Sequence, residues 1–285
     1  MPELPEVETV RRQLEPEIVG RTIEAAEVLD ERWTRPELPA PVEAALEGRR
    51  IEAIGRRGKY LVVELDNGSA LVMHLRMTGN LLIREPGADE ARHLRVRISL
   101  DDGSELWFTD ARRFGHGVVL AGDELDSYFA SRLGVEPLGG DLTPEVLLEL
   151  AAGRRAPLKS FLLNQAGVAG IGNIYADEAL FRAHLHPLSP AGSMNLEHAE
   201  ELRDGIVDAL EAGLAYGGSS IDDYRDARGE RGSMQDEFLV HTREGEPCVR
   251  CGETIRRIVV SGRSTYFCPG CQTRLRARRR RTRRR

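Results

Sequence analysis

Lysine is nearly absent from this chain: of 40 basic residues only Lys59 and Lys159 are lysines, and the rest are arginine. Lysine is a compact charge whose proton can be exchanged, whereas arginine stays protonated, so the two retained lysines are candidates for chemistry that arginine cannot perform. Long apolar runs are also missing. No stretch approaches the ~20 residues of a membrane span, and no apolar block follows a basic start. The expectation is a cytoplasmic protein with no membrane partner. Cysteine is scarce and clustered, with all four residues between positions 248 and 271. In a reducing compartment that clustering favours a metal site over disulfides. No internal repeat is present, which sets aside solenoid and propeller architectures.

What is present is unevenly spread. The net charge is -6, but the segment from Arg274 to Arg285 holds nine arginines and no acid, leaving 31 basic against 46 acidic residues in the remainder. An acidic body with a basic tail argues against a protein that coats nucleic acid. It fits a nucleic-acid-seeking arm, or equally a tail that only aids solubility.

At 285 residues the chain has room for two domains or one plus a small module. Leu4, Val7, Val10, Leu14 and Ile18 recur at helical spacing, with Pro5 in the first turn and Gly20 at the end. Strand signals follow. YLVVEL and SALVMHL flank Asp66-Asn67-Gly68, and LRVRISL and SELWFTD flank Asp101-Asp102-Gly103, each a hairpin with its turn residues in place. TIEAAEVL and RIEAIGRR read as further strands of a β-sandwich or barrel. Beyond Leu138-Gly139-Gly140 the pattern becomes helical in PEVLLELAAG, PLKSFLLNQ, NIYADEALFRA and LEHAEELRDGIVDALEAGLA. The Gly/Asp/Arg-rich GGSSIDDYRDARGERGSMQ then reads as a mobile loop.

Four places could carry chemistry. Cys248-x-x-Cys251 and Cys268-x-x-Cys271, sixteen residues apart, have the spacing of a four-thiolate zinc site. Four protein ligands leave no open position, so the metal would be structural, holding a hairpin with Arg263 at its tip. In LLNQAGVAGIGNIYADEALF, glycine turns precede Asn173 at a helix start, where free amides attract phosphate; a plain packing corner has the same signature. In TDARRFGHG, Arg112 and Arg113 beside Phe114 read as a phosphate clamp with an aromatic wedge, or as a solvated strand edge. Met77 in HLRMTG shares that ambiguity between wedge and core. Finally, the start MPE reads two ways. Pro2 is well placed early in a helix, where its missing N–H costs nothing. If Met1 is trimmed, Pro2 instead offers a secondary amine that can attack an aldehyde-like sugar carbon, with Glu3 beside it as proton donor.

Taken together, MPELPEVETV, RRGKYL, HLRMTG, DARRFG, GIGNIYADE and GRSTYFCPGCQ resemble the signatures of the formamidopyrimidine-DNA glycosylases, in order and over nearly the whole chain. The resemblance implies a multidomain α and β protein: an N-terminal β-sandwich with an N-terminal helix (1–135), a helix–two-turn–helix domain with a lesion-capping loop (136–240) and a C-terminal β-hairpin zinc finger (241–273). Beyond the family's usual end at the zinc finger, a disordered basic tail (274–285) is expected from composition. The resemblance further implies excision of oxidised purines such as 8-oxoguanine and formamidopyrimidines from duplex DNA, then strand cleavage by β,δ-elimination. Pro2 would be the nucleophile at C1′ and Glu3 the acid that opens the sugar. Lys59 would serve β-elimination and phosphate binding, and Arg263 would serve δ-elimination. His93, Arg112, Arg154 and Asn173 match DNA-contacting positions. Met77, Arg112 and Phe114 match the trio that fills the gap left by the everted base, and Lys159 falls beside the lesion pocket. One structural zinc is implied, with no catalytic metal or organic cofactor, in a monomer whose partner is duplex DNA containing oxidised bases or abasic sites.

The sequence departs from the family pattern at Met234, where an aromatic is usual, and at His241, where a tyrosine is usual. Two other readings stand beside this one. The related endonuclease VIII type prefers oxidised pyrimidines, but typically has glycine in place of Leu4 and lacks the Arg-Arg-Phe wedge. A protein that senses lesions without cutting would have no need of Pro2, Glu3, Lys59 and Arg263.

Overall fold

A computed structural model of the chain describes residues 1–221 and 223–276. They fall into two compact units, one formed by Met1–Arg132 with Gly213–Asp236, the other by Leu133–Ala212 with the residues from Glu237 onward. The basic tail expected at 274–285 lies, from 277 on, outside the described residues. Among those described, no helix is long and apolar enough to cross a membrane.

The first unit opens with α1 (Leu4–Ile18), whose buried face is the periodic set Leu4, Val7, Val10, Leu14 and Ile18. The strands are β1 (Ile23–Val28), β2 (Ile51–Arg57), β3 (Tyr60–Leu65), β4 (Ala70–His74), β5 (Gly79–Arg84), β6 (Leu94–Leu100), β7 (Glu105–Asp110) and β8 (His116–Leu120). They form two antiparallel sheets, ordered β1-β6-β7-β5 and β2-β3-β4-β8. Alternate residues of both sheets, among them Ile54, Leu61, Val63, Met73, Val96, Ile98 and Phe108, share one core with α1. This is a β-sandwich carrying an N-terminal helix. Both turns expected from Asp-Asn-Gly and Asp-Asp-Gly are present: Gly68 and Gly103 adopt φ of 80° and 83° and close hydrogen bonds back to Leu65 and Leu100. Two helices, α2 (Pro39–Leu46) and α3 (Gly122–Ala130), complete the unit.

The stretch read as a mobile loop is tethered at many points. Ser219 N donates to Glu6 Oε1 at 2.7 Å, Arg225 N to Asn80 Oδ1 at 2.7 Å, and Ala227 N to Gln13 Oε1 at 2.9 Å. Tyr224 and Ala227 are buried in the sandwich core. Glycine is required at 218: φ is +83°, and a Cβ there would lie 2.8 Å from Glu6 Cγ. Met234 is likewise fully buried, so this methionine is a packing residue of the first unit.

The second unit holds α4 (Pro144–Ala151), α5 (Leu158–Leu163), α6 (Asn173–Arg182), most of α7 (Leu196–Ala215) and the hairpin β9 (Arg256–Val260) and β10 (Arg263–Phe267). Thr143 caps α4, its side chain accepting from Val146 N at 3.3 Å. Phe181 of α6 shares a small core with Val240, Ile255, Cys248 and Cys268, so the cysteine module is built onto α6.

Candidate functional site

In the first unit the strand register gathers the expected residues at one end of the sandwich. Gly79, which starts β5, pairs with Asp110, which ends β7, and Leu94, which starts β6, pairs with Thr109. Met77, His93, Arg112 and Phe114 all lie just beyond these ends. In the other sheet Tyr60 pairs with His74, and His74 with His116. Lys59, one residue before β3, is therefore at the same end. Helix α1 runs antiparallel to β2: Arg11 Nη1 donates to Ile54 O at 3.5 Å, and Arg56 pairs with Glu8 at 3.1 Å while donating to Gly58 O at 3.0 Å. Continuing that register carries Pro2 and Glu3 toward the Gly58–Lys59 turn. Glu3 and Lys59 are only 2% and 5% exposed. The backbone N of Glu3 donates to Glu6 Oε2 at 2.8 Å, which fixes the start of the helix.

The positive charge at this end comes from arginine and lysine, not from histidine. Burial, with Arg76 adding to it, pushes His74 down to about 2, and burial and the same arginine bring His116 to about 4. Both imidazoles are neutral near pH 7. Phe114 is 53% exposed, an unusual site for a large aromatic, with the Arg112 guanidinium 4.9 Å from its ring centroid. Arg113, at φ 61°, turns the other way and forms a two-nitrogen pair with buried Asp30.

In the second unit α5 and α6 are joined by a double turn. Gln165 staples it, donating to Ile171 O at 2.8 Å and accepting from Gly170 N at 3.0 Å. Asn173 opens α6 and donates to Ser264 O of β10 at 3.0 Å. The tip of the hairpin is tied to α5 by Ser160 Oγ and Ser261 Oγ, 2.7 Å apart. Asn173 and exposed Arg263, the neighbour of Ser264, are thus held together. Arg154 is exposed after α4, its Nε donating to Leu150 O at 2.6 Å.

Lys159 lies inside the second unit. It is 0% exposed, its Nζ 2.7 Å from Asp177 Oδ1 and 2.6 Å from Asn173 O. An ammonium buried between these groups holds the start of α6 in place. His241 Nδ1 lies 2.8 Å from the other oxygen of Asp177, and Glu178 accepts the backbone N–H of Leu239, Val240 and His241. Neither acid was visible as functional in the sequence. The signal available was a pair of acids on the buried face of an otherwise apolar helix.

The four cysteines carry no disulfide. Their sulfurs lie within 4.8 Å of one another, with Cys248–Cys271 at 3.7 Å and Cys251–Cys268 at 3.4 Å. Four thiolates about 2.3 Å from a central ion would stand at such separations, so the donor set fits tetrahedral zinc. The site is closed and structural. Replacing any one of Cys248, Cys251, Cys268 or Cys271 by serine should reduce bound zinc from one per chain toward none. The β9–β10 hairpin should become protease-sensitive, since ~10 kcal/mol or more of folding free energy rests on such a metal. Metal analysis with limited proteolysis checks this; full zinc content in a variant would refute it.

Comparison with known proteins agrees with this arrangement. The formamidopyrimidine-DNA glycosylase N-terminal domain matches residues 1–117, the H2TH domain of the same enzymes residues 133–225, and a zinc finger found in FPG and IleRS residues 245–274. The formamidopyrimidine-DNA glycosylase of Chloroflexus aurantiacus is 49% identical over 274 residues, covering 95% of this chain and 98% of its own. That of Symbiobacterium thermophilum is 48% identical, covering 95% and 89%. Among solved structures, a Lactococcus lactis FPG mutant in complex with a Fapy-dG-containing DNA superimposes with a TM-score of 0.90 at 37% identity, covering 96% of this chain and all of that one. The Lactococcus lactis Fpg complex with abasic-site DNA gives 0.89 at 37% identity, covering 95% and 100%. With matches of this extent in each of its parts, the chain belongs to the formamidopyrimidine-DNA glycosylase family.

Proposed function

We propose that this protein removes oxidised purines, 8-oxoguanine and formamidopyrimidines, from duplex DNA and then cleaves the strand at the resulting abasic site. The observation that carries the reading is the gathering of Glu3, Lys59, Met77, His93, Arg112 and Phe114 at one end of the sandwich. A base must leave the duplex before its sugar can be attacked, and the gap must be filled. Phe114, held exposed with Arg112 against it, has the form of such a wedge, and Met77 stands on the adjoining loop.

With Met1 removed, the secondary amine of Pro2 attacks C1′ of the everted nucleotide. The glycosidic bond breaks, its electron pair leaves with the base, the N–H proton of the amine passes to that base, and Glu3 protonates the ring oxygen as the sugar opens. The nitrogen lone pair then forms an iminium with C1′. Nucleophile and acid on adjacent residues stay within reach of one sugar. The iminium acidifies the 2′ hydrogen; loss of that proton expels the 3′ phosphate, and a second elimination expels the 5′ phosphate. Lys59 moves protons and holds phosphate in the first step. In the second unit Arg263 serves the second step, while Asn173 and Arg154 hold the backbone. Lys159 acts through Asn173. The divisions 1–135, 136–240 and 241–273 serve as functional segments of a monomer.

Borohydride trapping on duplex containing 8-oxoguanine tests lesion, nucleophile and intermediate together. A covalent adduct is expected. Adduct formation only on oxidised pyrimidines would favour the endonuclease VIII type, and binding without an adduct would favour a sensor.

The arginine tail adds a separate expectation. Seven of its nine arginines follow Arg276, and truncation there preserves the bond from Leu275 N to Ser189 Oγ. Each phosphate the tail neutralises adds about 0.9 to the slope of log affinity against log salt. The truncated protein should bind undamaged duplex more weakly with a flatter slope, while single-turnover cleavage at saturating enzyme stays unchanged. Equal slopes would mean that the tail does not touch DNA.

A further inference from the structure

Asp110, the first acid of DARRFG, has no role in the reaction proposed above, yet it is 1% exposed at the sandwich end where the wedge residues lie. Its carboxylate is saturated by donors from two loops. Oδ2 accepts from Phe114 N at 2.8 Å and Gly115 N at 2.7 Å; Oδ1 accepts from Arg112 N at 3.1 Å and from the hydroxyl of Thr78. Thr78 Oγ1 in turn accepts from Arg112 N at 3.1 Å. Thr78 is the residue after Met77. The backbone of Asp110 adds a third tie, its N–H donating to His93 O at 3.0 Å. Gly115 allows the close approach: a Cβ there would lie 2.5 Å from Phe108 Cζ.

We propose that Asp110 is the positioning residue for base eversion, its one carboxylate setting the Met77 loop and the Arg112–Phe114 loop in register so that the three wedge side chains enter the duplex as one body. This rests on the reading that these three residues fill the gap. Two loops ordered independently would each lose conformational freedom on meeting DNA; tied to a common buried anion, they are already ordered. Only an acceptor-only group can serve. A carboxylate has lone pairs on both oxygens, whereas an amide would turn an N–H₂ toward either the Thr78 hydroxyl and Arg112 N–H or the Phe114 and Gly115 N–H groups. Misplacement of a positioning group by about 1 Å can cost on the order of 100-fold in rate.

The test uses full-length protein and lesion duplex with 2-aminopurine beside the lesion, whose fluorescence rises on unstacking. Thr78→Val cuts the tie to the Met77 loop without emptying the core, and Thr78→Ser restores it; Asp110→Asn breaks both. Thr78→Val and Asp110→Asn should slow eversion by roughly 10- to 100-fold, with Thr78→Ser near wild type. Borohydride trapping on a single-stranded abasic oligonucleotide, which requires no eversion, should change little in any of them. Phe114→Ala is the control for the wedge itself. If it slows eversion but Thr78→Val does not, the loops need no common anchor and the inference is wrong. If Thr78→Val weakens trapping on single-stranded and duplex substrates alike, Asp110 is merely structural. If Phe114→Ala everts the lesion at the wild-type rate, the wedge reading fails and this inference fails with it.

Discussion

Protein that retains Met1, or carries an extension before it, should give no covalent adduct when borohydride is added with lesion duplex, while still binding that duplex. The amine at Pro2 is a nucleophile only as a free terminus; as an amide its lone pair is delocalised into the carbonyl. Pro2 is buried immediately before Glu3, the residue that opens α1, and the Glu6 carboxylate fixes the Glu3 backbone. The terminus is thereby presented on a rigid helix. Pro2→Gly leaves a primary amine on a more flexible residue and should slow base removal far more than it weakens binding. A fall on the order of 10³-fold or more is the scale seen when an enzyme loses its nucleophile. Electrophoresis of trapped adducts and a gel-shift titration on the same protein separate the two effects. Robust trapping by an N-terminally blocked protein would end the proline mechanism.

The parts legible in the sequence were those fixed by local pattern. The face of α1 follows from apolar residues three and four apart, and the two tight hairpins follow from Asn-Gly and Asp-Gly between alternating runs. The zinc module was legible because ligand spacing is a covalent constraint. Other features depend on partners far away in the chain. Strand β8 pairs with β4 and β5 with β7, and neither short strand declares its partner by composition. The return of Tyr224 and Ala227 to the first core is decided by Glu6, Gln13 and Asn80, whose side chains meet that segment only after folding. The tool residues of the site, such as Phe114 and Arg263, sat in recognisable motifs. Their supports did not: Asp110, Asp177, Glu178 and Gln165 are ordinary polar residues until folding surrounds them with donors.

Apart from loss of the metal, a large stability effect should come from the buried network of the second unit. Lys159 and Asp177 are both fully shielded from water, and His241 closes the second carboxylate oxygen while its ring meets Phe238 and Tyr266 edge-on, at centroid separations of 5.3 Å and 5.1 Å. Removing one member strands a charge in a dry interior. Lys159→Met or Asp177→Leu alone should therefore cost about 3–5 kcal/mol, read as a lower unfolding midpoint in urea. The double variant Lys159→Met with Asp177→Leu should recover most of that loss, because an apolar pair of similar volume carries no desolvation penalty. Function should not recover with it. Lys159 donates to Asn173 O, and that bond, with the one from Asn173 to Ser264, fixes the α6 start against the hairpin that carries Arg263. The stable double variant should still bind lesion duplex weakly. His241→Tyr, which inserts the family's usual residue, keeps a donor within reach of Asp177 and should be mild on both measures. A double variant as unstable as either single one would show that the site tolerates no apolar packing. A double variant with wild-type affinity would show that Asn173 needs no support from Lys159.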